Sequence, residues 1–233
     1  PQRQDGQQHA QEILQILSNI PRLPDRLALP QAPVLIVPRI FEPSLCQTLI
    51  DYYQQGQAHP SGFMREVNGQ TVLLQDHSFK RRADCSIEDA GLLEEVQTRL
   101  YERLRPEIAK AFQFEATRIE RHIVACYDSS SGGFFRPHRD NTTKGTAHRR
   151  FAVSLNLNTG DYDGGMLRFP EFGQQLYQPP RGGALVFSCS LLHEATPVTR
   201  GQRFAYLPFL YTDADAALRQ QNRQFLQTEQ PNG

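Results

Sequence analysis

The sequence lacks the features that mark membrane, secreted and nucleic-acid-binding proteins. Its 233 residues contain no apolar run close to 18 residues, so we expect no membrane-spanning helix. The polar start has no initiator Met and no apolar segment of the kind that secretion signals carry. Lys and Arg number 25, as do Asp and Glu. This zero formal charge argues against broad electrostatic capture of nucleic acid or an anionic membrane.

Cysteine is also scarce. The four cysteines are widely spaced and form no Cys-x-x-Cys pair, which argues against a zinc ribbon or a thioredoxin-type site. Their scattered positions predict free buried thiols and a reducing compartment, so we expect a cytoplasmic location. The cysteines are Cys46, Cys85, Cys126 and Cys189.

Composition and apolar spacing divide the chain into four segments. Residues 1–32 are rich in Gln and Pro and predict a linker or N-terminal arm with a short helix over Ala10–Leu17. Residues 33–115 carry mainly helical spacing and predict a support region of helices and strands. From residue 116 the spacing between apolar residues shortens to a strand-like pattern. This change predicts a core domain over 116–212 and a C-terminal tail over 213–233.

The core is predicted to be a β-sandwich or barrel of the jelly-roll kind, because short apolar segments alternate with turn residues. Helices that precede these strands favour an α+β arrangement in which they back one sheet. The predicted helices cover Leu45–Gln55, capped by Ser44, then Ser86–Tyr101, and a segment from Pro106. The predicted strands are Arg118–Tyr127, Phe151–Asn158, Gly165–Phe169, Ala184–Ser188 and Phe204–Tyr211.

Two histidines and one aspartate form the main candidate site. His138 and Asp140 are two residues apart in a strand-like segment, so both side chains point to the same side and can reach one ion. His193 lies in an apolar context, where an imidazole needs a partner. Two imidazoles and one carboxylate are the ligand set of non-haem iron(II) sites with open coordination positions.

Arg203 and Tyr127 are candidates for binding a keto-acid cosubstrate. Arg203 opens an apolar segment ten residues after His193, and a guanidinium suits bidentate carboxylate recognition. Tyr127 offers a phenolic donor for the same carboxylate. The basic runs 80–82 and 148–150 are interpreted as solvated faces, with the alternative that they flank a substrate groove. Residues 61–86 are interpreted as a lid or groove wall.

These residues resemble the prolyl 4-hydroxylase-like iron(II)/2-oxoglutarate dioxygenases. The matching segments agree in order and spacing with that family. They are residues 127–141, 155–158, 163–170, 180–187 and 193–203. The resemblance implies a double-stranded β-helix, a distorted jelly roll. It also implies iron held by His138, Asp140 and His193, and 2-oxoglutarate on Arg203 with help from Tyr127, with ascorbate as a further candidate cofactor.

The resemblance implies hydroxylation of an unactivated C–H bond, with a prolyl residue of a peptide or protein as the leading substrate and dioxygen as co-reactant. No catalytic residue is expected beyond the metal ligands. Two alternatives stay open: hydroxylation of a free amino acid or small metabolite, and a non-catalytic module that binds iron and 2-oxoglutarate. No nucleic-acid or membrane partner is expected.

Overall fold

The structure, a computed structural model, describes residues 6–19 and 31–226. The described residues divide into two units, one over 6–19 and one over 31–226. In the first unit, the predicted N-terminal helix is present as α1 (Gly6–Ser18), whereas Pro21, Pro24 and Pro30 lie outside the described residues. No described helix is long and apolar enough to cross a membrane. The four predicted segment boundaries stay predictions.

The second unit contains four further helices and eighteen short strands among its described residues. The helices are α2 (Pro43–Gln55), α3 (Ala90–Arg99), α4 (Arg105–Phe112) and α5 (Asp213–Gln221), with a π-helical turn over Leu100–Leu104 between α3 and α4. The strands are β1 (Val34–Val37), β2 (His59–Pro60), β3 (Phe63–Val67), β4 (Gln70–Leu74), β5 (Lys80–Arg81), β6 (Ala83–Ser86), β7 (Arg118–Glu120), β8 (Ile123–Asp128), β9 (Phe134–His138), β10 (Phe151–Asn156), β11 (Asp163–Gly164), β12 (Leu167–Arg168), β13 (Leu176–Tyr177), β14 (Ala184–Ser188), β15 (His193–Ala195), β16 (Val198–Arg200), β17 (Gln202–Tyr206) and β18 (Phe209–Tyr211).

The larger sheet runs in the order β1-β14-β10-β17-β8-β6-β2, with β18 and β7 joined beside β10. Along its central strands the side chains alternate between two environments, since successive side chains point to opposite faces of the sheet. On β10, Val153 and Leu155 pack into the cluster that includes the helices, whereas Ser154 lines an inner cavity on the other face. On β17, Phe204 and Tyr206 likewise belong to the helix-side cluster.

The helices α2 to α4 cover the outer face of this sheet. Their buried side chains include Leu49, Val96 and Ile108, each fully buried and in one hydrophobic cluster with residues of β8, β10 and β17. This burial supplies most of the driving force that holds the helices in place. The predicted backing of one sheet by N-terminal helices is therefore confirmed.

A smaller sheet in the order β13-β12-β15-β9-β5 lies on the other side of the inner cavity. A second hydrophobic cluster joins the two sheets, with Phe135 and Leu167 from the smaller one and Phe187 from the larger one. Gly133 allows β9 to start beside β8, because a Cβ atom there would lie 2.6 Å from the backbone nitrogen of Asp128. The predicted jelly-roll core is confirmed.

Several predicted element bounds were wrong for local reasons. The helix expected from Leu45 with a Ser44 cap begins at Pro43 after Glu42, and the helix expected from Ser86 begins at Ala90, where Asp89 caps it. The segments 118–127 and 204–211 are each two strands. Arg121, with φ of 56°, breaks the first, and Pro208 cannot donate a ladder hydrogen bond in the second.

The predicted state of the cysteines is confirmed. All four thiols are free and buried. Burial raises the pKa of the Cys126 thiol to about 12 and that of Cys46 to about 11. These cysteines therefore stay protonated at neutral pH and act as small apolar groups in the core.

Candidate metal and cosubstrate site

The two predicted histidine ligands lie directly opposite each other on adjacent strands. His138 ends β9 and pairs in register with His193 on β15, and their ring centroids are 4.3 Å apart. Asp140 follows two residues after His138, where its backbone N–H donates to the carbonyl of Cys189 at 2.9 Å. The smaller sheet therefore brings all three side chains together.

Hydrogen bonds aim the same nitrogen of each imidazole at the aspartate. His138 Nδ1 is 2.8 Å from the carbonyl oxygen of Arg136, and His193 Nδ1 is 3.0 Å from that of Leu191. A carbonyl only accepts, so each Nδ1 carries the proton and donates, and each Nε2 keeps a free lone pair. The Nε2 atoms lie 3.5 Å and 3.4 Å from the two carboxylate oxygens of Asp140.

The electrostatics of the cluster favour the protonation states that a metal requires. Burial lowers the pKa of His193 to about 4, and the neighbouring His138 acts in the same direction. Burial raises the pKa of Asp140, but His193 and His138 more than reverse this and leave it below its ordinary value. At neutral pH the centre therefore holds a neutral His193 and an ionised carboxylate.

The donor set fits a ferrous ion. One ligand atom from each of the three residues lies within 4.8 Å of the others, close enough for one ion to contact all three. Two imidazole nitrogens and one carboxylate leave further coordination positions for a cosubstrate and dioxygen. Hydrogen bonds to the other ring nitrogens fix the orientation of both imidazoles, as metal-binding histidines require.

Arg203 lies in the inner cavity that also contains the three candidate ligands. Its side chain is 2% exposed, and its Nη2 donates to Ser154 Oγ at 2.7 Å and to Asn156 Oδ1 at 2.9 Å. Within residues 6–19 and 31–226, no carboxylate forms an ion pair with it. A buried guanidinium held only by neutral groups is suited to receive an anion.

Tyr127 is also placed at this cavity. It faces Arg203 in register across β8 and β17, and the Arg203 guanidinium lies 5.1 Å from the centre of its ring. Its hydroxyl is 3.5 Å from Arg82 Nη1, which donates, so the phenolic proton stays available for another acceptor.

An open groove of about 540 Å³ leads from the candidate metal centre to the surface. The β3–β4 hairpin forms one wall with Phe63, Met64 and Arg65, while His138 and Asp140 lie at the inner end. The groove wall therefore includes residues from both halves of the 61–86 segment, since Phe79 and Lys80 also line the groove.

The interpretation of the basic runs as solvated faces was wrong for four of their six residues. Lys80, Arg82, His148 and Arg149 are each 9% exposed or less. Nearby acidic groups stabilise three of them: Asp84 pairs with Arg82, and Glu120 pairs with both His148 and Arg149. The sequence pattern did not predict these ion pairs. Glu120 lies on β7, far along the chain from His148 and Arg149, and Asp84 lies two residues after Arg82 on the same sheet edge.

The ion pair between Arg82 and Asp84 stiffens the edge of the larger sheet next to the groove. Arg82 donates twice to Asp84, at 2.7 Å and 2.6 Å, and its side chain is 3% exposed. Burial raises the pKa of Asp84, but Arg82 reverses this and holds it at about 2. The carboxylate therefore stabilises the fold above the ordinary aspartate pKa and ceases to do so as the pH falls towards 2.

We expect Asp84→Asn to lower the free energy of unfolding by about 3–5 kcal/mol, because it leaves a buried guanidinium without its counter-ion. Urea unfolding at pH 7 measures this. The matched control is Asp163→Asn, whose partner Arg200 is exposed; its effect should stay below about 1 kcal/mol. The difference in free energy of unfolding between wild type and Asp84→Asn should become smaller only below about pH 4. Equal effects of the two variants would contradict this account.

Sequence reasoning missed several residues that shape the site. Ser154 and Asn156 hold Arg203, and their signal was present: two polar residues at alternate positions of an otherwise apolar strand share one face. Arg121 lines both the groove and the inner cavity, but no sequence pattern around it identified it as a site residue. Its position depends on the strand break at residue 121, which the sequence pattern did not predict.

Comparison with known proteins agrees with this geometry. Residues 122–211 match the family described as the 2OG-Fe(II) oxygenase superfamily, and this stretch contains all five predicted site residues. A PKHD-type hydroxylase from Synechococcus is 34% identical over 93 residues, which are 37% of this chain and 41% of that protein. The chain thus spans less than half the length of the curated relatives that it matches first.

Two solved structures share the fold. A prolyl-4-hydroxylase from Pseudomonas putida has a TM-score of 0.60 at 18% identity, covering 78% of this chain and 93% of that one. A prolyl hydroxylase from Trichoplax adhaerens, in complex with a hypoxia inducible factor peptide fragment, has a TM-score of 0.56 at 19% identity, covering 81% and 87%. The predicted double-stranded β-helix and the predicted resemblance are confirmed, and the family match supports iron(II) and 2-oxoglutarate as cofactors.

Proposed function

We propose that this protein, whose residues 122–211 match the 2OG-Fe(II) oxygenase superfamily, hydroxylates an unactivated C–H bond of a peptide. We assign iron(II) to His138, Asp140 and His193, and 2-oxoglutarate to Arg203 and Tyr127. When bound, iron and 2-oxoglutarate would supply the oxidation, in which dioxygen would give one oxygen atom to the substrate as a hydroxyl group and the other to the succinate that forms from 2-oxoglutarate with loss of carbon dioxide.

One observation carries the proposal. A cluster of two free imidazole nitrogens and a carboxylate opens into the same cavity as a buried guanidinium for which the described residues provide no acidic partner. A keto acid that chelates the ion with its keto-acid end can reach Arg203 with its far carboxylate. A module that only kept the fold would gain nothing from a buried cation held ready for an anion, which costs stability.

The chain's own residues position the reactants and exclude water. The Nδ1 bonds of both histidines keep Nε2 directed at the metal, and Ser154 and Asn156 fix the guanidinium plane of Arg203. Phe135 stacks on His138 at 3.5 Å, and Phe187 packs against His193 at 4.5 Å. These rings shield the centre from bulk water, which strengthens its electrostatic interactions.

A peptide substrate is favoured by the groove. It is open to solvent rather than enclosed, and its volume of about 540 Å³ has room for several residues. The prolyl target is proposed by analogy with the named relatives, and a free amino acid or small metabolite is the second candidate.

Succinate formation tests the proposal. Purified protein with iron(II), 2-oxoglutarate and air should release succinate slowly without substrate, and faster with a proline-containing peptide that gains one oxygen atom by mass spectrometry. Omitting iron(II) should remove both activities. No succinate under any of these conditions would contradict the proposed function.

A further inference from the structure

Two cations at the inner end of the groove lack acidic partners. Lys80 is 4% exposed, and its Nζ donates to Ser61 Oγ at 2.7 Å and to the carbonyl of Gly62 at 2.6 Å. Arg121 is half-buried and donates from Nε to the carbonyl of Leu207 at 3.2 Å. Neither forms an ion pair with any carboxylate of the described part of the chain.

Both cations lie close to the candidate metal centre. The Lys80 ammonium is 4.7 Å from the centre of the Phe135 ring, which itself stacks on His138. The Arg121 guanidinium is 4.3 Å from the centre of the Phe209 ring. Arg149 lies 4.1 Å from the same ring and donates to the backbone carbonyl of Asp140. Lys80 is thus separated from His138 by one aromatic ring, and Arg121 from Asp140 by the Phe209 ring and Arg149.

The backbone at Arg121 is strained. Its φ of 56° places a long side chain in the left-handed region, which a non-glycine residue adopts at a cost of about 1 kcal/mol or more. The strained residue lies where the groove meets the inner cavity. Strain of this kind concentrates at sites that bind ligands.

The nearest carboxylates favour the charged forms of Lys80 and Arg121 only from a distance, because each carboxylate has another partner. Asp84 pairs with Arg82, Glu120 with Arg149, and Asp140 is assigned to the metal. Burial and the charge of Arg82 lower the pKa of Lys80 well below its ordinary value, and burial with Arg82 and Arg149 lowers the pKa of Arg121 to about 10. An anion in the groove that Lys80 and Arg121 both line would relieve the repulsion that Arg82 exerts on both of them and that Arg149 exerts on Arg121.

We propose that Lys80 and Arg121 bind a carboxylate of the substrate, carried by the residue that is oxidised or by its immediate neighbour. This inference rests on the proposed function. The carboxylate comes either from the C-terminus of a peptide or free amino acid, or from an adjacent acidic side chain. An internal prolyl residue without a nearby negative charge leaves both cations unpaired and binds weakly.

Equilibrium dialysis separates this inference from the proposed function, because it needs no turnover. Protein with Mn(II) and 2-oxoglutarate, without dioxygen, is dialysed against matched tripeptide pools, and retained peptides are quantified by mass spectrometry. One pool has free C-termini and a second is amidated. Two further amidated pools carry Asp or Asn at the central position, which distinguishes the two sources of the carboxylate.

Wild-type protein should retain at least one carboxylate pool over its amide counterpart by about tenfold or more. Arg121→Gln and Lys80→Met should reduce that preference to about twofold or less, whereas Arg121→Lys, which keeps the charge, should preserve much of it. Arg200→Gln, which removes an exposed arginine outside the groove, is the control and should keep the full preference. If Lys80→Met fails to fold, Arg121→Gln still tests whether the carboxylate preference depends on this site.

Two results would overturn the inference. The first is a wild-type protein that shows no preference for the carboxylate pools, which includes the case in which it retains no pool at all. The second is a preference for a carboxylate pool that persists in both Arg121→Gln and Lys80→Met. Neither result bears on succinate formation without substrate. Conversely, absence of succinate with intact carboxylate selectivity would reject the proposed reaction and leave the anion site standing.

Discussion

Asp140→Ala is expected to abolish succinate formation and to lower iron(II) affinity by more than about 100-fold. Changes to groups that merely orient metal ligands cost about 10- to 100-fold, so loss of a ligand should exceed that range. The carboxylate is the single anionic donor of the cluster and offsets part of the charge of a divalent ion. Equilibrium dialysis with iron(II) under nitrogen measures affinity, and succinate release measures turnover.

The fold should survive this substitution. Asp140 lies beyond the end of β9, and its backbone bond to Cys189 does not need the side chain. We expect the metal-free variant to melt as cooperatively as the wild type. Asp163→Ala removes a carboxylate from an exposed ion pair and should leave iron affinity unchanged. Normal succinate formation by a folded Asp140→Ala protein would refute the ligand assignment.

Arg203→Ala is expected to raise the dissociation constant for 2-oxoglutarate by about 30-fold to several thousand-fold. The estimate follows from about 2–5 kcal/mol for removing one partner of a buried charge pair. The guanidinium is 2% exposed, so water cannot replace it easily. Calorimetric titration of 2-oxoglutarate into Mn(II)-loaded protein without dioxygen measures the effect.

Two matched variants sharpen this test. Arg203→Lys keeps the charge but loses the planar fork that Ser154 and Asn156 hold, so an intermediate affinity is expected. Arg200→Ala removes an exposed arginine three residues earlier and should bind 2-oxoglutarate as the wild type does. An unchanged dissociation constant in Arg203→Ala would assign the cosubstrate carboxylate to another residue.

The sequence predicted the site better than its surroundings. His138 and Asp140 were found because a two-residue spacing on a strand has a direct geometric meaning, and His193 because an imidazole is unusual in an apolar segment. Their meeting depends on the register between β9 and β15, which spacing alone does not determine. The resemblance to a known family supplied that missing long-range information.

The basic residues show why other parts could not be predicted. Local sequence makes Lys80, Arg82 and Arg149 resemble solvated charges. Their burial depends on Asp84, two residues from Arg82, and on Glu120 of β7 and the Phe135 ring of β9. Similarly, the break at Arg121 needs a positive φ at a residue type that rarely adopts one. Such features follow from tertiary packing, so the groove's charge pattern emerged only from the structure.

A crystal structure with Mn(II) and 2-oxoglutarate, grown without dioxygen, tests the central claim most directly. We predict one metal ion about 2.0–2.3 Å from His138 Nε2, His193 Nε2 and a carboxylate oxygen of Asp140, with the far carboxylate of 2-oxoglutarate paired to Arg203. A metal bound elsewhere, or 2-oxoglutarate outside the inner cavity, would contradict the account.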